Sequence, residues 1–154
     1  MNYLIHNQLE LDICADEILS MLTCDAKEGR NKATVLGLSG ELGAGKTALV
    51  QSLARALAIL LHVTSPTFVI ARFYDIQNHT QFKRLIHVDA YRIEHEDELR
   101  PLGFRDLLDD PRNLVVVEWP EQLGVHFPGD AKRFTITVVD ETTREISDQT
   151  EVVA

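Results

Sequence analysis

The chain has 154 residues, 45% of them hydrophobic and 25% charged, which suits a single globular domain over residues 1–154. At this length folding hides roughly 68 to 70% of the surface of the unfolded chain, so stability requires no disulfide or metal. The formal net charge of −9 argues against a protein that holds a nucleic acid unaided, because such binding rests on many cationic contacts to phosphates. No apolar run approaches the roughly 18 residues of a membrane span. Glu10 and Asp12 interrupt the segment that would be apolar in a signal peptide, so we expect a cytosolic protein with no membrane partner.

The first half of the chain predicts a helix, a buried strand and a second helix. Asn7 and Glu10 have the spacing of a capping box, and apolar residues then recur at helical spacing. Residues 33–39 form a short apolar run that is typical of a strand buried on both faces of a parallel sheet. A glycine-rich segment at 40–45 follows. The apolar stripe that begins after Lys46 predicts the second helix.

The second half of the chain predicts further strands. Four segments are either continuously apolar or rich in bulky and alternating side chains, which favours extended structure. These segments are residues 68–75, 85–90, 114–117 and 133–140. The first two are expected to form a hairpin or neighbouring strands, and the alternation in the last is typical of an antiparallel or edge strand. Pro101 and Gly103 break a charged segment into one or two short helices. The residues after Glu141 predict a short final strand or a frayed tail from about residue 147.

Residues 40–47, GELGAGKT, match the phosphate-binding pattern G-x-x-x-x-G-K-[ST] at every fixed position. Glycines let the backbone wrap closely round a phosphate, and the helix that follows adds its positive N-terminal end. Lys46, expected as an exposed loop side chain, would reach the outer phosphates, and the Thr47 hydroxyl can hold Mg²⁺. The predicted nucleotide-binding residues of the loop are Glu41, Leu42, Gly43, Ala44, Gly45, Lys46, Thr47 and Ala48. With a strand before the loop and a helix after it, we predict an α/β, P-loop NTPase-like sandwich of three layers, with a mainly parallel central sheet and antiparallel additions.

A phosphate loop also needs an acidic residue on a neighbouring strand to orient the metal ion. Glu118 follows four apolar residues at the carboxyl end of a predicted strand, where ligands of open α/β sheets collect. Asp89 shares one face of its strand with His87. Either carboxylate is a candidate for the metal, while a strand-end acid in solvent and a surface ion pair are the alternatives for Glu118 and Asp89. His87 is interpreted as a structural hydrogen-bonding residue.

Four segments taken in order resemble the TsaE family, also called YjeE, which comprises bacterial ATPases of tRNA threonylcarbamoyladenosine biosynthesis. The segments are residues 40–47 (GELGAGKT), 65–68 (SPTF), 87–92 (HVDAYR) and 118–121 (EWPE). The resemblance implies ATP as the substrate and Mg²⁺ as the cofactor. It implies catalytic roles for Lys46, Asp89 and Glu118, with Thr47 and both carboxylates at the metal. It also implies that Trp119 lies beside the nucleotide and that a nucleotide-sensing switch loop is formed by Ser65, Pro66, Thr67 and Phe68.

The same resemblance implies two protein partners, TsaB and TsaD. In that setting the chain would reset TsaD through ATP hydrolysis and so support the transfer of a threonylcarbamoyl group to the adenosine next to the anticodon of tRNA. The acidic charge agrees with this role if a partner holds the tRNA, so we expect no tRNA binding by the chain alone. Two other functions stay open from the residues themselves: a small-molecule P-loop kinase, and a nucleotide-gated interaction module with negligible turnover. The N-K-x-D motif by which a GTPase reads guanine is not found in the sequence.

Overall fold

The computed structural model describes residues 1–27, 29–60, 63 and 70–149. In this part of the chain the helices are α1 (Gln8–Ala26), α2 (Lys46–Ala56) and α3 (Phe104–Leu108). Two 3-10 helical segments cover Glu96–Leu99 and Pro120–His126. The strands are β1 (Asn2–Ile5), β2 (Thr34–Ser39), β3 (Ala71–Asp75), β4 (Arg84–Asp89), β5 (Asn113–Glu118), β6 (Lys132–Val138) and β7 (Arg144–Asp148).

All these strands belong to one seven-stranded sheet with the order β1-β7-β6-β2-β5-β4-β3. The four strands β6, β2, β5 and β4 run parallel to one another. The pairs β3–β4, β6–β7 and β1–β7 are antiparallel. The expected α/β fold, with a mainly parallel sheet and antiparallel additions, is therefore confirmed, as is the predicted pairing of β3 with β4.

The half of the sheet formed by β1, β7 and β6 differs in part from the sequence prediction. Of the two alternatives predicted for β6, antiparallel pairing is confirmed by its pairing with β7, whereas the edge position is wrong, because β6 also pairs with β2 on its other side. Its alternation arises because Phe134 and Ile136 are buried among the core residues, whereas Arg133 and Thr135 are only half-buried. The final strand is present as β7, and Gln149 continues its pairing with a backbone hydrogen bond to Arg133. Strand β1 was not predicted.

Two hydrophobic clusters lie on opposite faces of the sheet and produce three layers. Helices α1 and α2 cover one face, where Leu36, Leu38 and Leu53 are completely buried. On the other face α3 and the 3-10 segments pack on the sheet through residues such as Phe104 and Phe127. Helix α1 begins at the predicted cap, where the Asn7 side chain accepts a hydrogen bond from the Glu10 backbone N–H at 2.9 Å. The reciprocal half of the capping box differs from the prediction, because the Glu10 side chain accepts from the His6 backbone N–H at 2.7 Å.

The topology places the functional segments at one edge of the sheet. Because β2, β4 and β5 are parallel, their carboxyl ends lie side by side, and the glycine-rich loop leaves the sheet there to begin α2. Ligands of open α/β sheets bind at such an edge. Among the described residues, no helix is both long enough and apolar enough to cross a membrane.

Candidate functional site

The glycine-rich loop has a backbone that only glycine adopts easily at three of its positions. Gly40 has φ 149°, Gly43 has φ 77° and Gly45 has φ 114°, all in the region that side chains disfavour. Gly40 is restricted by space as well, since a Cβ atom there would lie 2.5 Å from the carbonyl oxygen of Ile136. These glycines, of which Gly40 and Gly45 are fixed in the sequence pattern, therefore shape a loop whose backbone can approach a ligand closely.

Lys46 differs from the prediction, because its side chain is only 6% exposed. The Nζ atom donates hydrogen bonds to the carbonyl oxygens of Gly40 at 2.6 Å and Glu41 at 2.8 Å. It also lies 4.3 Å from the centre of the Trp119 ring, which covers it. Burial lowers the pKa of Lys46, and the negative charges of Glu118, Asp89 and Glu121 oppose that shift. The expectation of an exposed loop lysine is thus wrong, since a distant aromatic residue shields it.

Glu118 is held between the first turn of α2 and strand β4. The Thr47 hydroxyl lies 3.1 Å from each carboxylate oxygen of Glu118 and donates to this carboxylate. His87 forms a hydrogen bond with Oε2 of Glu118 through its Nε2 atom. Glu118 is 4% exposed and His87 is completely buried. The alternative of a strand-end acid in solvent is therefore excluded for Glu118, and the hydrogen-bonding interpretation of His87 is confirmed.

Asp89 adjoins Glu118 on the neighbouring strand. The two residues are register partners in the parallel β4–β5 pair, so both side chains lie on the α2 face of the sheet. Asp89 Oδ1 accepts a hydrogen bond from the Tyr91 backbone N–H at 3.0 Å. Both carboxylates contribute to one cavity of about 470 Å³. Its lining consists of Leu42, Gly43, Gly45, Lys46, Thr47, Ala48, Asp89, Tyr91, Arg92, Glu118 and Trp119.

Trp119 has a strained backbone and forms part of the wall of this cavity. Its φ of 61° and ψ of 53° lie in the left-handed region, which is uncommon for a bulky residue. The conformation is held by a hydrogen bond from the Trp119 backbone N–H to the Leu38 carbonyl at 3.1 Å. The indole packs on Tyr91, with ring centres 5.1 Å apart. Strain of this kind is characteristic of ligand sites.

Three features of the site were not predicted from the sequence. Tyr91 joins the aromatic wall, and Arg144 of β7 donates to the carbonyl oxygen of Ala44 in the loop at 3.2 Å. A second cavity of about 270 Å³ also touches the loop and shares Gly43, Gly45 and Ala48 with the first. Its other walls are formed by the start of α1 and by the β6–β7 turn.

The proposed switch residues 65–68 lie outside the described part of the chain.

The donor atoms in the first cavity fit a magnesium ion that arrives with a ligand. Mg²⁺ prefers oxygen ligands such as carboxylate and hydroxyl oxygens. The Thr47 hydroxyl and the Glu118 carboxylate supply such oxygens and are in contact with each other. In the described ranges no group of three or more His, Cys, Asp or Glu side chains could hold a metal alone. Mg²⁺ would therefore need oxygen atoms from a phosphate ligand and from water to complete its coordination.

The sheet order, the loop and the helix that follows it define a protein of the P-loop fold. YdiB of Bacillus subtilis has a similar structure, with a TM-score of 0.69 and 25% sequence identity. The alignment covers 96% of this chain and 83% of YdiB. The family model of the threonylcarbamoyl adenosine biosynthesis protein TsaE matches residues 13–146. The chain belongs to this family, which acts in tRNA threonylcarbamoyladenosine biosynthesis.

Relatives from distant bacteria agree with this assignment. The tRNA threonylcarbamoyladenosine biosynthesis protein TsaE of Streptomyces coelicolor is 41% identical over 111 residues, which are 71% of this chain and 72% of the relative. The protein of that name from Borreliella burgdorferi is 36% identical over 65% of this chain and 69% of its own. The one from Bacillus subtilis is 34% identical over 73% and 67%.

Proposed function

We propose that the chain binds Mg²⁺-ATP with its phosphates and metal ion in the 470 Å³ cavity, and that it hydrolyses the ATP in support of TsaB and TsaD. The contact between the Thr47 hydroxyl and the buried carboxylate of Glu118 is the observation that carries the proposal. It joins the phosphate loop to an acidic strand end, which is how P-loop NTPases hold their metal ion. Without a cation or a strong network of donors, a carboxylate that is 4% exposed is costly.

Each side chain has a distinct task in this proposal. The backbone N–H groups of the loop and the start of α2 bind the phosphates. Lys46 exchanges its bonds to the Gly40 and Glu41 carbonyls for phosphate oxygens. Glu118 and Thr47 hold Mg²⁺, which neutralises charge on the phosphates when bound. Asp89 positions the attacking water or contributes to the metal site through its place beside Glu118.

The second cavity is suited to the nucleoside part of ATP. It is continuous with the phosphate loop through Gly43, Gly45 and Ala48. Ile5, Leu11 and Ile136 supply apolar lining, and the polar groups include Asn7 and Arg144. An apolar cavity with a few polar groups is the usual environment of such a ligand.

Hydrolysis transfers the γ-phosphoryl group to water. A bond forms between the water oxygen and the γ-phosphorus, the bond to the β–γ bridging oxygen breaks, and ADP, phosphate and a proton are released. The reaction is fast only when charge on the transferring group is compensated, and a group supplied in trans can add roughly 10³ to 10⁵ in rate. We therefore expect slow turnover alone and stimulation by the TsaB–TsaD complex.

Steady-state phosphate release with and without TsaB and TsaD tests the proposal. We expect Glu118→Ala and Asp89→Ala to suppress the stimulated rate. Asp130→Ala is the matched control, because it removes an acidic residue whose recorded partner is Arg30 at the surface. Equal rates with and without the complex, or full activity in both site variants, would contradict the proposal. Transfer of the phosphoryl group to a small acceptor would favour a kinase, and binding without turnover would favour an interaction module.

A further inference from the structure

His87 contributes to the site although it cannot touch a ligand directly. It is completely buried in the middle of the sheet, between Ile86 and Val88 of the same strand. Its Nε2 atom is hydrogen bonded to Oε2 of Glu118. Its Nδ1 atom is buried and has no hydrogen-bond partner among the described residues.

This arrangement is unfavourable for a histidine whose only task is to stabilise the fold. A buried polar atom without a hydrogen bond costs free energy, and an apolar residue of similar size would avoid that cost. Because an ionised carboxylate can only accept, we assign the ring hydrogen to Nε2, so that His87 donates to Glu118 and Nδ1 is left as an unpaired acceptor. Within the described part of the chain, the one hydrogen bond of the His87 side chain is therefore directed at the carboxylate that also accepts from Thr47.

We infer that His87 is a positioning residue, which fixes one oxygen of Glu118 so that the other is presented toward the metal. The inference rests on the proposed function. Among the described residues His87 contacts only Oε2, whereas the Thr47 hydroxyl lies 3.1 Å from both oxygens, so Oε1 is the oxygen that His87 leaves available. Hydrogen bonds that orient a metal-binding carboxylate typically change metal affinity by about 10- to 100-fold when they are removed.

Manganese binding to the ADP-saturated protein, followed by the electron paramagnetic resonance of free Mn²⁺, tests this inference without turnover. We expect His87→Leu, which keeps bulk and removes the donor, to weaken Mn²⁺ binding at least about tenfold. His87→Gln places an amide N–H near the position of Nε2 and should recover most of the affinity. ADP affinity without metal should change little in either variant.

Asn113→Leu is the control for a purely structural effect. Asn113 is also buried, and it lies on the same strand as Glu118 but at the opposite end, where Nδ2 donates to the Leu107 carbonyl at 3.0 Å. Losing that bond should lower the midpoint of thermal unfolding and leave Mn²⁺ affinity unchanged. If His87→Leu does not fold, His87→Asn replaces it, because its shorter side chain withdraws the donor from Glu118.

The outcomes separate this inference from the proposed function. No ADP-dependent Mn²⁺ binding by the unaltered chain would overturn both. Normal Mn²⁺ affinity in a folded His87→Leu or His87→Asn variant would overturn the positioning role alone, as would equal losses in the Gln and Leu variants. In a Glu118→Gln background, His87→Leu should cause no further loss, because its effect passes through that carboxylate.

Discussion

At the scale of single residues, Lys46 shows the conflict between function and stability. Its ammonium group is buried beneath Trp119 and bonded to two loop carbonyls. Burial lowers the pKa of Lys46 below its unfolded value, so at neutral pH the unfolded chain holds this proton more strongly than the folded chain does. In the absence of a ligand, the buried charge of Lys46 therefore lowers the stability of the folded state.

Replacing Lys46 with methionine is expected to leave the free protein equally stable or more stable. The apolar side chain keeps most of the volume and removes the desolvation penalty of the ammonium group, which outweighs the attraction of the nearby carboxylates as a cause of the lowered pKa of Lys46. Thermal unfolding at neutral pH measures the effect. The difference in unfolding midpoint between Lys46→Met and the unaltered chain should narrow as the pH rises from the lowered pKa of Lys46 in the folded state toward its pKa in the unfolded chain. A clear fall in the unfolding midpoint of Lys46→Met would contradict this view of the lysine.

The fluorescence of Trp119 should change when Mg²⁺-ATP or Mg²⁺-ADP binds. Trp119 is the sole tryptophan, and its ring lies 4.3 Å from the Lys46 ammonium group. Movement of that group toward phosphates alters the charge beside the indole. Emission spectra during a nucleotide titration provide the measurement, with Mg²⁺ alone as the control. An unchanged spectrum at saturation would remove Trp119 from the site.

At the scale of secondary structure elements, local features were predictable and long-range contacts were not. The loop and α2 follow from residues close together in the sequence, and Glu118 was recognised as a strand end. The burial of Lys46 depends on Trp119, and the bond from Arg144 to Ala44 spans 100 positions. No local pattern encodes such contacts. Strand β1 was missed for the same reason, because four residues carry little periodicity and their pairing with β7 joins the two ends of the chain.

The packing of the segment after Trp119 depends on Gly37 in β2. A Cβ atom there would lie 2.7 Å from Cζ of Phe127 and 3.0 Å from Cγ of Pro120. We expect Gly37→Ala to destabilise the protein, because overpacking costs about 1–3 kcal/mol. This cost exceeds the gain of about 0.5–1 kcal/mol that alanine brings in a strand. The free energy of unfolding in urea measures the change.

Gly129→Ala is the matched control for this substitution. Nothing lies within 4 Å of a Cβ atom at position 129, so the change should stay within about ±0.5 kcal/mol. Equal stability of the two variants would show that the close approach of Phe127 and Pro120 to β2 is unimportant.

At the scale of the whole molecule, the charge of −9 determines which role in tRNA modification the chain can take. Binding to a nucleic acid backbone gains much of its free energy from the release of counterions by cationic side chains. We expect no retention of tRNA by the isolated chain in a filter assay at physiological salt, whereas the TsaB–TsaD complex should retain it. Micromolar binding of tRNA without a partner would contradict this division of tasks.

The central claim, that the cavity beneath Trp119 binds Mg²⁺-ATP through the phosphate loop, is tested most directly by calorimetric titration. The unaltered chain should bind one ATP per molecule, and a folded Lys46→Met variant should lose most of this affinity. Lys83→Met is the matched control, because the Lys83 ammonium donates to the His79 carbonyl at 3.1 Å on the β3–β4 hairpin and should not affect binding. Undiminished binding by folded Lys46→Met, or no binding by the unaltered chain, would contradict the account.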